Sequence, residues 1–323
     1  MKKIAVLGPI PRDHIVTWQG EIITRYGAVS HPVIALSKLI GAHNQVIPVS
    51  HIRKQDEAAI KAEFKDYPNV ITDYITSDED RGDVISLKFL DKNNRLEQQT
   101  GFMNPILPDD IQDLMDCHVY VFVPISDYEI SLDTLAYIKA NSNGVIVFDA
   151  HGPTTACLIN GKRERRFWLE RDQWLPFIDV LKMNAEEAAC CWFKEEFDVD
   201  EMAKEQELTE EERRKFAHHC IDKGVKCVYI TLDSRGCMAY YWKDNAYQET
   251  LIPAMWVDNV VDTTGCGDSF AGGLAFGLLD DRTDYIKAAR YANVLGALRT
   301  QGRTWDVFKS LEETNKIIAK TYF

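Results

Sequence analysis

Short apolar runs rich in β-branched and aromatic residues recur along this chain, and most are followed by a stretch with helical spacing. The strand-like runs fall at residues 4–7, 45–49, 118–123, 145–148, 178–181 and 227–232. Helical patterns fall at 32–40, 56–64, 132–140 and from Thr209 to about Asp222. Pro32 suits the first turn of the first helix, and Gly41 ends it. Thr209-x-x-Glu212 reads as a capping box opening the last, and Gly224 stops it. Uninterrupted apolar strands are those buried on both faces, and parallel neighbours need a crossover long enough to hold a helix. The alternation therefore predicts an α/β fold with a mainly parallel central sheet.

Two segments break the rhythm. Residues 14–27 and 83–101 carry strand-like runs with no adjoining helix, and the second has a turn signal at 91–94. They read as antiparallel strands outside the main sheet, either a flap over a site or an edge meander. The charged stretch 194–215 reads as a solvated helical face with its loop. The 323 residues suffice for one large domain, and no linker, repeat or low-complexity tract divides them.

Composition narrows the partners. A formal charge of −13 argues against nucleic acid, which requires a basic surface. No apolar segment approaches the ~20 residues of a membrane helix. The apolar run after Lys2-Lys3 is too short for a signal peptide, so a cytoplasmic protein is expected. None of the eight cysteines forms a C-x-x-C pair. His218-His219-Cys220 cannot converge on a metal, because adjacent helical residues point to different sides.

The densest chemistry lies in "VDTTGCGDSFAGG", residues 261–273. Gly265, Cys266 and Gly267 precede the apolar start of a helix. Glycine lets a ligand approach the backbone, and the first N–H groups of a helix form an anion site. Asp268 sits at the mouth of that site. It reads either as a helix cap or as a base that takes a proton from an attacking hydroxyl. The stretch is neither a P-loop nor a dinucleotide fingerprint.

"DTTGCGDSF" resembles the C-terminal signature of the ribokinase-like (PfkB) family of sugar and nucleoside kinases, with Cys266 in place of the usual small residue. The resemblance implies that Asp268 is the catalytic base and that Gly265, Cys266 and Gly267 form the anion hole. It implies ATP and Mg²⁺ as cofactors, and leaves open a monovalent cation near Asp262. "KMNAEEA" resembles the family's N-x-x-E element, giving Asn184 and Glu187 near Mg²⁺ and its waters; the same pair also reads as a capping box. "ITLDSRG" resembles the turn that meets the nucleotide, with Thr231, Asp233 and Gly236; Asp233 stands where glycine is usual. "ANVLGALRTQG" resembles the last helix beside the adenine pocket and contributes Asn293. Gly8 and Asp13 match G-x-x-x-x-D, whose Asp binds substrate hydroxyls.

Departures fall on the acceptor side. In "YGAVSHPVIALSKL" Gly27 keeps the second motif glycine, Tyr26 replaces the first, and His31 replaces the sugar-binding Asn. In "DAHG" Asp149 is kept and His151 replaces Asn. The two histidines read either as an altered pocket or as incidental loop and cap residues. The insert "GKRERRFW" (161–168) reads as a surface charge run or as positive groups near an acidic substrate. The resemblance spans residues 3–302. It implies a three-layer α/β/α sandwich over residues 1–323 as one kinase domain, with a β-lid from 14–27 and 83–104 through which two copies could pair. The expected activity is transfer of the γ-phosphate of ATP to a primary hydroxyl of a small sugar or sugar derivative. A nucleoside acceptor, or a catalytically weak sugar sensor, stays open.

Overall fold

The computed structural model describes residues 1–91, 95–192 and 207–323. Its strands, in chain order, are β1 (Lys3–Leu7), β2 (Arg12–Val16), β3 (Ile22–Tyr26), β4 (Gln45–His51), β5 (Ile75–Thr76), β6 (Val84–Phe89), β7 (Arg95–Gly101), β8 (Val119–Phe122) and β9 (Val145–Asp149). After these come β10 (Thr155–Cys157), β11 (Arg163–Arg165), β12 (Val180–Asn184), β13 (Cys227–Thr231), β14 (Cys237–Lys243) and β15 (Ala246–Ile252). The main sheet has the order β15-β14-β13-β12-β9-β8-β1-β4-β5. Every pairing from β13 to β5 is parallel, and β13-β14-β15 is an antiparallel meander at one edge.

Alternation along each strand splits the core in two. Ile4 and Val6 of β1 face a layer built on the helices Ser30–Leu39, Cys266–Leu278 and Tyr285–Arg299. Ala5 and Leu7 face the opposite layer, with Leu135 and Ile138 of the helix Leu132–Asn141 and Phe216 and Cys220 of the helix Glu210–Asp222. Successive strand residues point to opposite faces, so continuous apolar runs produce two buried layers. The α/β expectation is met, as is the Thr209–Glu212 capping box.

The small apolar residues after Asp268 have a packing reason. A side chain at Gly273 would lie 2.4 Å from the Cα of Ala292, and one at Gly277 2.3 Å from the Cα of Ala288. Close approach of the helices Cys266–Leu278 and Tyr285–Arg299 therefore rests on glycine facing alanine. Gly277→Leu is expected to overpack this contact by about 1–3 kcal/mol and lower the thermal midpoint by several degrees; an unchanged midpoint would contradict the packing.

The rhythm-breaking segments form a separate four-stranded sheet, β3-β2-β6-β7. One expectation is corrected: β2 and β6 pair in parallel, while β2-β3 and β6-β7 are antiparallel. Each hairpin leaves the main body on its first strand and returns on its second, so the two first strands meet running the same way. The turn signal at 91–94 and the stretch 194–206 fall largely or wholly outside the described residues. The insert at 161–168 is not a free surface run. It forms β11, antiparallel to β10, buries Trp168, and ties Arg163 to Gln99, Ser126 and the carbonyl of Ile125. Among the described residues no helix is long and apolar enough to cross a membrane.

Candidate active site

Parallel strands deliver their C-terminal ends to one edge of the sheet, where open α/β folds gather ligands. Here β1 leads into Gly8 and on to Asp13, β9 ends at Asp149 and His151, and β12 ends at Asn184, beside Thr231 of β13. The helix Cys266–Leu278 points its N-terminus at the same edge.

The glycine turn is built by its backbone. Gly265 is the N-cap, with φ +81° and ψ 4°, the left-handed region that other residues enter at a cost. Its carbonyl accepts from the Ser269 amide at 2.9 Å and the Ser269 hydroxyl at 2.7 Å. The Cys266 amide donates to the Thr263 carbonyl at 3.2 Å. Of the amides expected to form the anion hole, that of Cys266 is spent on closing the turn, and those without a carbonyl partner among the described residues are the amides of Gly265, Gly267 and Asp268. Lys182 supplies charge beneath them. Its ammonium lies 2.7 Å from Asp149 Oδ2, and a side chain at Gly267 would fall 3.0 Å from its Nζ. Burial opposes the charge on Lys182, but Asp149 and Glu187 hold its pKa above the ordinary value.

Asp268 occupies the third helical position and is not the N-cap, and no described residue donates a hydrogen bond to its carboxylate. Burial, reinforced by Asp149 and offset by Lys182, raises its pKa to about 6. That suits a base working near neutral pH. Asp13 is only 5% exposed. Burial raises it to about 7, against the pull of Arg25, with Asp268 adding to the rise. A side chain at Gly27 would come within 2.9 Å of Asp13 Oδ2, so the glycine leaves room for that carboxylate.

The two histidines occupy defined places. His31 is 1% exposed, in the first turn of the helix Ser30–Leu39, with its ring against Gly265. Its Nδ1 accepts from Arg299 Nε at 3.0 Å, which places the proton of the neutral ring on Nε2. Burial first, then Arg299 and Arg25, hold its pKa well below the usual range. His151 is paired through Nδ1 with Glu187 Oε1 at 2.8 Å, and its amide donates to Asp149 Oδ1 at 3.1 Å. Both therefore have fixed partners, one in the glycine turn's support and one at Glu187.

Asn184 and Glu187 make the capping box: the Asn184 amide donates to Glu187 Oε2 at 2.8 Å, and the Glu187 amide donates to Asn184 Oδ1 at 2.7 Å. Glu187 Oε1 also faces Arg165 at 3.4 Å. Burial would raise Glu187, but His151, Lys182 and Arg165 bring it well below the ordinary carboxylate range. Both oxygens are engaged, and no cluster of three ligating side chains occurs among the described residues. The donor set thus fits a Mg²⁺ that arrives with nucleotide phosphates and retains its waters, with Glu187 in reach through water, and not a dedicated cage.

In the turn after β13, Asp233 keeps the backbone expected of glycine, at φ +51°, and Gly236 follows at φ +103°. Thr231 Oγ1 donates to the Met183 carbonyl at 3.4 Å. Asn293 commits its amide to the carbonyls of Ile252 and Pro253, at 3.1 and 3.0 Å, so it shapes the end of β15. The helix bearing it, Tyr285–Arg299, is followed by another, Leu311–Tyr322.

Lys182, Arg25 and Arg299 escaped the motifs; Lys182 left a signal as the charged residue in the buried strand "VLKMN", and Arg163 and Arg165 lie in the charged insert 161–168.

Residues 145–304 match the family described as pfkB family carbohydrate kinase. A 2-dehydro-3-deoxygluconokinase of Bacillus subtilis is 38% identical over 85 residues, 26% of this chain and 25% of that protein. The chain spans about a quarter to a third of the length of the first curated relatives it matches. The ribokinase of Arabidopsis thaliana, solved with ribose and ATP, superposes with a TM-score of 0.76 at 17% identity, covering 98% of this chain and 99% of that one. A pyrophosphate-dependent kinase of the ribokinase family, solved with a pyrophosphate analog and myo-inositol, gives 0.71 at 16% identity, covering 97% and 99%. These likenesses show a ribokinase fold.

Proposed function

This chain belongs to the pfkB family of carbohydrate kinases, and from that premise we propose that it moves the γ-phosphoryl group of ATP to a primary hydroxyl of a sugar or sugar derivative. The observation that carries the reading is Asp268: a carboxylate with a raised pKa and no capping role, set on the first turn of a helix whose N–H groups face the same space.

Asp13 accepts hydrogen bonds from the acceptor's hydroxyls and orients it. Asp268 removes the proton of the attacking hydroxyl as the new P–O bond forms and the bond from the γ-phosphorus to the bridging oxygen breaks, with ADP as the leaving group. The amides of Gly267 and Asp268, with the Lys182 ammonium behind them, stabilise charge on the transferring group; positioning and electrostatics are most of what such a reaction requires. Mg²⁺, when bound with the nucleotide, neutralises phosphate charge. His151, standing where the family has Asn, gives the pocket a ring in place of an amide, while His31 is buried against Gly265 and acts on the site through the turn. An acceptor other than ribose or fructose is therefore the expectation, with nucleosides in the same chemistry.

The test is ADP release from Mg-ATP, beside phosphate release from pyrophosphate, against separate sugars, polyols, sugar acids and nucleosides. ADP release that depends on one acceptor class supports the reading; acceptor dependence with pyrophosphate alone, or with neither donor, overturns it.

Both carboxylates act ionised, so activity rises with pH. With Asp268 raised to about 6 and Asp13 to about 7, kcat/KM for the acceptor should climb through that interval and level off above it. A flat profile across the interval would remove both from the mechanism.

A further inference from the structure

We infer that Arg299 and Arg25 take the place of a metal cation at Asp262, so that the glycine turn is held by two built-in guanidinium groups and needs neither potassium nor sodium.

Asp262 opens the turn. Its Oδ1 accepts from the Thr264 amide at 2.9 Å. Its Oδ2 accepts from Arg25 Nη1 at 2.5 Å and lies 3.6 Å from Arg299 Nη2. Despite its burial, Arg25 brings its pKa down to about 2. Arg299 is 1% exposed and comes from the C-terminal end of the helix Tyr285–Arg299. Its Nε donates to His31 and its Nη1 to the Gly302 carbonyl. The Thr300 carbonyl accepts from the amides of Val261 and Asp262, at 2.8 and 3.3 Å.

A desolvated alkali cation needs several oxygen ligands in place of its hydration shell. Here the nearby oxygens already have donors: both carboxylate oxygens of Asp262 and the carbonyls of Thr300 and Gly302. Two guanidinium groups also repel a third positive charge. A monovalent ion therefore does not fit, and its charge is supplied by side chains. These arginines are positioning residues. Arg299 links the turn to His31 against Gly265. Arg25 links it to β3 and reaches to 3.7 Å from Asp13.

The test uses the full chain in chloride salts of potassium, sodium and tetramethylammonium at equal ionic strength. Thermal midpoint and acceptor-dependent turnover are both read. The turnover arm rests on the kinase reading above; the melting arm does not, so the two can fail separately. Wild type is expected to melt and turn over alike in all three salts, within about twofold. A potassium- or sodium-specific rise in midpoint, or a turnover gain of tenfold or more, would overturn the proposal. Arg299→Ala removes one charge and frees the Gly302 carbonyl. Its turnover should fall at least tenfold and recover in part with added guanidinium or potassium, neither of which raises wild type. A folded Arg299→Ala that matches wild type in every salt would equally overturn the proposal. If the variant does not fold, the wild-type comparison decides.

Discussion

Asp268→Asn should lose about 10²–10⁴-fold in acceptor-dependent turnover, the usual loss on removing a general base. The substitution keeps the shape of the side chain and removes its basicity. It should not destabilise the protein. Burial has already raised the pKa of Asp268 to about 6, so above that pH the folded protein holds a carboxylate in surroundings that disfavour it. A neutral amide escapes that penalty, and the thermal midpoint at pH 8 should equal or exceed that of wild type. Turnover and melting of the same preparation separate the two effects. Wild-type turnover in the variant would remove Asp268 as the base.

The second large effect is expected at Gly265. Alanine there keeps a left-handed residue at φ +81°, a cost of about 1–2 kcal/mol. Its methyl would also fall 2.3 Å from His31 Nε2 and 2.4 Å from two ring carbons. The imidazole cannot easily retreat, because it is buried and bonded to Arg299. Overpacking adds about 1–3 kcal/mol. The turn must move, and the amides of Gly267 and Asp268 move with it. Loss of one well-aimed oxyanion donor costs about 10²–10³-fold in rate, so Gly265→Ala should fall at least that far in turnover and melt lower. Adding His31→Ala relieves the clash but not the backbone angle, so the double variant should regain stability in part. A Gly265→Ala protein with wild-type midpoint and turnover would show that the turn tolerates the methyl.

What was legible in the sequence was local. The apolar runs of β1, β8 and β9 follow from burial on both faces, and Thr209–Glu212 carries its cap within four residues. The strands of the small sheet were visible as strands, but their partners were not. The parallel pairing of β2 with β6 joins segments about seventy residues apart, and alternation says nothing of direction. In the site, Asp13, Asp268, Asn184 and Glu187 stood out because each lies in a short motif. Lys182, Arg25 and Arg299 act through partners far along the chain: Asp149, Asp262 and His31. Nothing in the spacing of an arginine near a helix end shows that it is buried on a carboxylate 37 residues earlier. Asp233 shows the opposite limit: the residue changed from the family pattern, but the left-handed backbone stayed, as Asp tolerates that region better than most residues.

The most direct test of the central claim is phosphorus NMR of the wild-type protein with Mg-ATP and each acceptor class. A new phosphomonoester resonance should grow in step with ADP, one ester per ATP consumed. ATP consumed with release of free phosphate and no ester, or ATP left intact beside every sugar, polyol, sugar acid and nucleoside, would contradict it.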